Sequence, residues 1–535
     1  MFIHYFIIEV MENYNEDELF QLIKSLTKTE KTYFKKYASQ HIKGEVNNYV
    51  LLFDILEKMV EYNEDLIAQS LHKECFKNLP RLKNYLYENL LKALTMYHAD
   101  HSLVAQLHDQ INRLEVLWGK GLYKQCDKLL KRIKKIAIEN DIQFILLEVY
   151  SWELKIDYEK LTVFDDFVRF NEISANQFKV IKRIENANII EHKIKKIILL
   201  LHIIGRATTK EQFEIYKELM PDSLLDMNEN EMPNDQYKIE YFSLRQLYAV
   251  AICDRSSSIE YSDKLFQLYE ESPNLIASRL RQYIYHTYNR LFTLLDANKY
   301  SQIEKTLKVY KNIPNTYQQY CTDELRIIVE MDSQLIFFLY CEKTGQFNLA
   351  LNDVEKTMNL LESEKGTFYN KSREIILYFL ISYIYFGNND FKNALKWINK
   401  IINYKNLQTL HIYSSAVNFS YIIHFELKNY DLLEYLSKSN NRHFQKNKEH
   451  NEFEAAIFSV LKKGLQHIPG NLHEERQLFT NLKEKLIDSN LQENKNGQLI
   501  AFNYENWFNS KIENQSLSEI TSEKKQQLEN VLIKV

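Results

Sequence analysis

The string TGQFNLA, residues 344–350, places a glycine two positions before a phenylalanine and an alanine three positions after it. Glycine permits the unusual backbone conformation that a tight link between two antiparallel helices requires. The aromatic ring can fill the seam between those helices, and the small alanine lets their backbones approach. The string therefore predicts the turn of a helical hairpin.

Four further strings share this spacing. They are GLYKQC (121–126), ANKYSQI (297–303), NNDFKNA (388–394) and a weaker copy, LKNYDLL (427–433). The later aromatic residues, at positions 300, 347, 391 and 430, lie 47, 44 and 39 residues apart. Such intervals exceed the 34 residues of a tight tetratricopeptide unit and are typical of other helical solenoids. Prolines 221, 273 and 314 follow apolar runs, where a second helix is expected to stop.

The string Gly345 to Ala350 resembles the tetratricopeptide-type repeats, which carry Gly-x-aromatic-x-x-Ala between two helices. Two other copies depart from it, with Cys126 in place of alanine and Asn389 in place of glycine. Unit length also varies, and the family's Trp-Leu-Gly string is missing. The resemblance covers about residues 105–445 and implies a divergent tetratricopeptide-like solenoid.

Composition also favours an all-α protein. Ten glycines and six prolines in 535 residues are too few for the turns of a β-sandwich or barrel. The chain has 68 basic and 72 acidic residues, a net charge of −4, so no global positive field attracts nucleic acid or membrane. Its five cysteines form no C-x-x-C pair, which indicates a reducing, cytoplasmic location without disulfides or zinc.

Four regions follow from these patterns. Residues 1–10 are apolar but have no basic start, so we expect a dispensable or untranslated leader before Met11. Residues 11–104 predict a small helical domain with a capping box at Thr27 to Glu30. Residues 105–445 predict the irregular repeat array, with an acidic loop at 218–240, and 446–535 predict C-terminal helices with an aromatic capping helix. Neither uncharged stretch, 375–389 or 406–425, suits a membrane span, because the first is short and the second polar.

Catalytic motifs are missing, so an enzyme is the weakest hypothesis. No glycine opens a phosphate-binding loop, and Gln477 replaces the second histidine of an H-E-x-x-H zinc motif begun by His473. Cys126 lies near Lys124 and Lys128, which would favour a thiolate, but its place in the repeat string predicts a buried thiol. No cofactor or metal is expected.

Non-enzymatic recognition of a protein or peptide is the leading functional hypothesis, because stacked helix pairs create a long surface. The residues expected to line its groove are Tyr288, Phe292, Tyr383, Phe386 and Asn418. Packing of these aromatic rings between neighbouring units is the alternative interpretation.

A regulator that contacts nucleic acid is the second hypothesis. Its candidate residues form a basic stripe at helical spacing, Lys124, Lys128, Lys131 and Lys135. Lysines 24, 28, 31 and 35 repeat the spacing, and residues 65–91 permit a helix-turn-helix reading with 78–91 in the groove. The alternative is that each stripe is the solvated face of an amphipathic helix. The sequence does not predict the oligomeric state.

Overall fold

The computed structural model describes residues 17–39, 48–71, 76–99, 103–160, 165–207, 209–225, 227–229, 232, 234–362, 371–404, 411–429, 432–433, 472–488 and 502–534. Helices joined by short links make up these ranges, which contain no strand, so the all-α fold class is confirmed. None of the helices described is long and apolar enough to cross a bilayer. The leader 1–10, Cys75 and Tyr430 lie outside the described residues.

Five helices of the N-terminal domain are described. They are α1 (Glu18–Ser25), α2 (Lys28–Ser39), α3 (Asn48–Lys58), α4 (Glu64–Ser70) and α5 (Leu79–Ala99). The predicted capping box opens α2, since the Thr27 amide donates to Glu30 Oε2 at 2.7 Å and the Glu30 amide donates to Thr27 Oγ1 at 3.3 Å. Phe34, Phe53 and Leu86 are fully buried in a core of the domain's own. This domain therefore packs as a separate unit.

Helices paired with their neighbours in sequence continue the chain as a solenoid-like array. They are α6 (Leu103–Gly119), α7 (Tyr123–Glu139), α8 (Gln143–Lys160), α9 (Asp165–Ile203), α10 (Lys210–Glu218), α11 (Asp222–Leu225), α12 (Asp235–Ala251), α13 (Arg255–Glu271), α14 (Pro273–Ser278), α15 (Leu280–Asp296), α16 (Tyr300–Thr316), α17 (Asp323–Thr344), α18 (Phe347–Glu362), α19 (Lys371–Gly387), α20 (Phe391–Ile402) and α21 (His411–Glu426). The segment 218–240 is partly helical, because α11 and the start of α12 fall within it.

The links between paired helices share one geometry. In each, a residue with positive φ is followed by an amide that donates to the carbonyl five residues earlier. At Gly345 φ is 73°, and the Gln346 amide donates to the Cys341 carbonyl at 2.9 Å. The same arrangement occurs after Gly121, Asp141, Cys253, Asn298, Asn389 and Lys428. This is the Schellman end of an α-helix, which the repeat strings predict at their glycines and asparagines.

Most of the described repeat positions pack as the strings predict, although Tyr123 and Phe391 are only partly buried. Phe347 and Tyr300 are buried beside the links, while Ala350 and Ala394 are fully buried between paired helices. Helices α10 and α13 end before prolines 221 and 273, but α16 continues two residues beyond Pro314. A proline in the last turn interrupts the backbone bonding only there, so the expected helix end is shifted rather than lost.

The described part of the array contains two hydrophobic cores. One core holds residues between 107 and 180, and the other holds residues between 190 and 517. The 39-residue helix α9 joins them, with Ile173 and Val180 in the first core and Ile190 and Ile197 in the second. At 1.5 Å per residue this helix is about 58 Å long.

Three further helices, α22 (Leu472–Asp488), α23 (Tyr504–Glu513) and α24 (Leu517–Lys534), pack back on the array. The ring of Phe502 stacks on Phe419 with centroids 4.7 Å apart. Trp507 Nε1 donates to Glu426 Oε1 at 2.6 Å, at the end of α21. Ser518 Oγ donates to the Gly345 carbonyl at 2.5 Å, at the α17–α18 link. The predicted aromatic capping segment therefore lies on the linked ends of the later repeat helices.

Candidate partner-binding surfaces

The five residues predicted to line a groove are buried, none more than 5% exposed. The Tyr288 ring meets Phe292 edge to face at 4.9 Å, and the Arg373 guanidinium lies 4.7 Å from its centroid. These contacts join α15 to α19 inside the array. A partner has no direct access to such side chains, so the groove prediction is corrected in favour of packing between units.

Tyr383 and Phe386 are covered by the protein's own C-terminal segment. Phe502 lies 5.3 Å from each of their rings, and the Asn503 amide donates to the Tyr383 hydroxyl at 3.3 Å. Asn418 is also buried, and its side-chain amide has no hydrogen-bond partner among the residues described. Sequence reasoning identified the aromatic cluster but not the segment that closes it.

A buried ion pair crosses the middle of the array. Arg373 on α19 contacts Asp332 on α17, and the Tyr310 hydroxyl on α16 donates to Asp332 Oδ2 at 3.1 Å. Burial, with the negative charge of Asp332 beside it, raises the pKa of Tyr310, which stays protonated. Since a buried charge needs its partner, this network holds three helices in one register.

A second buried network contains the serine and histidine of a hydrolase triad, but a tyrosine hydroxyl stands in place of the carboxylate. His286 Nδ1 lies 2.8 Å from the Tyr269 hydroxyl, and His286 Nε2 lies 3.3 Å from Ser243 Oγ. Burial lowers the pKa of His286 to about 3, so the imidazole is neutral. All three side chains are buried, which denies a substrate direct contact with the serine. The network links α12, α13 and α15.

The cysteine and metal chemistry of the described residues is sparse. Cys126 is fully buried, as its repeat position predicts, and Cys253, Cys321 and Cys341 are also free thiols. No group of three histidine, cysteine, aspartate or glutamate residues in the described part of the chain could hold a metal ion.

The basic stripe on α7 is exposed. Lys124, Lys128, Lys131 and Lys135 all face solvent on this helix. Lys135 lies 3.8 Å from Glu139. Lys134, beside the stripe, contacts Glu153 of α8 at 2.9 Å and lies over the Tyr150 ring. The stripe is thus available to an acidic ligand while its neighbour holds two helices together.

Lysines 24, 28, 31 and 35 have the same spacing as the α7 stripe, but most of them contact another helix. Lys35 bridges Asp54 and Glu57 of α3 at 2.9 and 2.8 Å, and Lys24 donates to the Glu57 carbonyl at 2.8 Å. Lys31 is buried beside Glu57. Lys24, Lys31 and Lys35 therefore join α1 and α2 to α3, although Lys35 stays exposed, as Lys28 is.

Helix α5 contains most of the segment considered for a DNA groove. Arg81, Tyr85 and Lys92 are exposed on it, and with Asn48 they line a depression of about 680 Å³. Lys83 instead turns inward, where it pairs with Asp17 and donates to the Tyr62 hydroxyl. One of the three Lys and Arg residues of this helix, Lys83, is therefore used inside the domain.

The largest set of exposed apolar side chains on one helix belongs to α9, among the helices described. Seven of them, 43–69% exposed, are Phe167, Phe170, Phe178, Ile181, Ile189, Leu199 and Ile203. Since an α-helix has 3.6 residues per turn, the 36 residues from Phe167 to Ile203 make ten turns, and all seven lie within an arc of about 100°. We call these seven residues the α9 face.

The α9 face adjoins the end of α8. Arg169 Nε lies 2.6 Å from Asp157 Oδ2, and Gln177 donates to Ser151 at 2.9 Å, so the two helices run antiparallel. This register puts Tyr158, which is 73% exposed, beside the first turn of α9. Sequence reasoning missed this face because it searched for repeat strings, whereas the signal was apolar residues recurring over ten turns.

The chain matches no protein-family model, no curated protein and no solved structure.

Proposed function

We propose that this protein is a non-enzymatic scaffold that binds a protein partner through the α9 face. The observation that carries the proposal is the exposure of seven large apolar side chains in one arc of one helix. Isolated exposed apolar residues are ordinary, but a contiguous set is costly in water and marks an interaction site.

The stacked helical hairpins support this proposal. Such arrays present long, rigid surfaces, and tight Schellman links hold their paired helices side by side. The free thiols of the four described cysteines fit the reducing cytoplasm, where we place the protein.

A pair of charge substitutions tests the proposal. Phe178→Glu with Ile181→Glu puts two carboxylates in the centre of the α9 face. Val168→Glu is the matched control, because Val168 is 72% exposed on the same helix but lies outside the arc. Capture from host lysate, quantified by mass spectrometry, should lose a stoichiometric protein with the double variant and keep it with the control. Equal capture by both variants would contradict the proposal.

The exposed stripe on α7 favours a second candidate, a regulator that contacts nucleic acid. Its four lysines present positive charge along one face, and Lys124, Lys128 and Lys131 have no acidic partner among the described residues. Phosphate contacts weaken steeply with salt. If this candidate holds, changing the four lysines to glutamine reduces the salt dependence of RNA or DNA retention without changing the melting temperature. Unchanged retention would identify the stripe as a solvated face.

A further inference from the structure

We infer that the α9 face docks against the α9 face of a second copy of this chain, antiparallel and related by a two-fold axis near Glu185. This inference rests on the proposed function and names the partner. An isologous contact of this kind requires a surface that is complementary to itself.

The positions along α9 have that self-complementarity. A two-fold axis at residue 185 places residue n of one helix opposite residue 370 minus n of the other. Ile181 then meets Ile189, and Phe167 meets Ile203. Phe170 falls one position from Leu199, and Phe178 meets His192. Six of the seven apolar residues of the face thus find an apolar counterpart. A parallel pairing in register would instead oppose His192 and Lys196 to their own copies.

The direction of the stripe suits two straight helices. The apolar residues return to the same angle after ten whole turns, so the stripe runs parallel to the helix axis. A heptad stripe, by contrast, would drift around the helix and impose a supercoil. Two copies of α9 can therefore approach along their length without any change in the helix.

The charges at the centre are compatible with the axis. Glu185 lies in the arc and would face its own copy, which for bare carboxylates is unfavourable. Lys182 contacts Glu185 within the same chain at 2.8 Å. The two-fold axis therefore brings together two Lys182–Glu185 ion pairs, each with no net charge, instead of two bare carboxylates.

The exposed area is close to what a stable dimer needs. At about 200 Å² for a fully exposed large side chain, the exposed fractions of the seven residues amount to roughly 790 Å² per copy. A standard protein–protein interface buries about 800 Å² per partner. The face is thus large enough to hold two copies together.

Sedimentation of the full chain tests the inference directly. The wild-type protein should sediment as a dimer, at twice the 64.2 kDa of one chain. Phe178→Glu with Ile181→Glu should raise the dissociation constant at least 100-fold, and Val168→Glu should leave it unchanged. Circular dichroism melting checks that each variant is folded. A monomeric wild-type protein, or a dimer that survives the double variant, would overturn the inference.

Cysteine cross-linking tests the antiparallel register. In a background of Cys75→Ser and Cys253→Ser, Glu185→Cys should form a disulfide dimer under mild oxidation, because the axis brings the two sites together. Phe167→Cys should not cross-link to itself, since its copy lies about 54 Å away, but should cross-link to Ile203→Cys on a second, differently tagged chain. Cross-linking of Phe167→Cys to itself would refute the register.

These outcomes separate the two proposals. A monomeric wild type whose captured partner is lost in the double variant would overturn the dimer and retain the scaffold. Suppose instead that the double variant loses the dimer but captures the same proteins as the wild type. This result would retain the dimer and overturn the scaffold that binds a further partner through the α9 face.

Discussion

Gly345→Ala should loosen the C-terminal helix α24 from the array, and Gly121→Ala should not. Both glycines end a repeat helix with positive φ, 73° and 69°. A Cβ on Gly345 would lie 2.5 Å from the Ser518 carbonyl oxygen and 2.7 Å from Ser522 Oγ. A Cβ on Gly121 would meet nothing within 4 Å. Both substitutions therefore strain the backbone, but only Gly345→Ala also places a Cβ against helix α24.

The magnitudes follow from these two parts. An alanine forced into the left-handed conformation costs about 1–2 kcal/mol at either position. At Gly345 the helix α24 must also move away, which breaks the hydrogen bonds from Ser518 to the Gly345 carbonyl and from Ser522 to the Thr344 carbonyl. Each bond contributes about 0.5–1.5 kcal/mol. Gly345→Ala should therefore cost about 1–3 kcal/mol more than Gly121→Ala.

Hydrogen exchange is the suitable assay, because an array with several cores need not unfold in one step. The amides of Leu517–Lys534 should exchange roughly 5- to 150-fold faster in Gly345→Ala than in the wild type. In Gly121→Ala the same amides should keep their wild-type rates, while amides near the α6–α7 link exchange faster. Equal rates in α24 for both variants would refute the docking of this helix on the α17–α18 link.

Three further predictions concern the interior. Ala350→Leu or Ala394→Leu should overpack a hairpin seam and cost about 1–3 kcal/mol, measured by denaturant unfolding; unchanged unfolding in both would reject the repeat register. Burial raises the pKa of Glu342, despite Lys343 at 3.5 Å, so folding becomes less favourable as pH rises above the usual glutamate range. Glu342→Gln should therefore melt higher than wild type at pH 8, with the difference shrinking in acid; a constant difference would contradict this cause. Burial lowers the pKa of His286 to about 3, so protonation of the unfolded chain destabilises the fold below pH 6.5. His286→Gln should reduce this loss of stability in acid, measured as the melting temperature across a pH series. A loss in acid equal to that of the wild type would contradict this cause.

The repeat turns were predictable from sequence because their chemistry is local. A residue that must adopt positive φ is most often glycine or asparagine, and Gly121, Asn298, Gly345 and Asn389 hold that conformation. Cys253 and Asp141 end helices in the same way. Neither residue type predicts a positive φ, so the units around these two positions had no recognisable string. Local rules thus located the glycine and asparagine links and missed equivalent ones.

The surfaces were less predictable because exposure depends on contacts distant in sequence. Nothing in the spacing of Tyr383 and Phe386 shows that Phe502, more than a hundred residues later, packs against them. Likewise, two lysine stripes with one spacing differ because Lys24, Lys31 and Lys35 of one stripe meet Glu57 of another helix. Periodicity identifies a face, but the tertiary fold decides whether that face is covered.

The α9 face lies on the side of the helix that neither core uses. Ile173 and Val180 belong to one core, and Ile190 and Ile197 belong to the other. Since successive residues turn by about 100° around the helix, these four lie within an arc of about 120° opposite the α9 face. The seven residues of the face belong to neither core. Neither core therefore requires them to be apolar. Seven exposed apolar residues in one arc are explained if a further surface covers them, and a second copy of the same helix meets that requirement with the same residues.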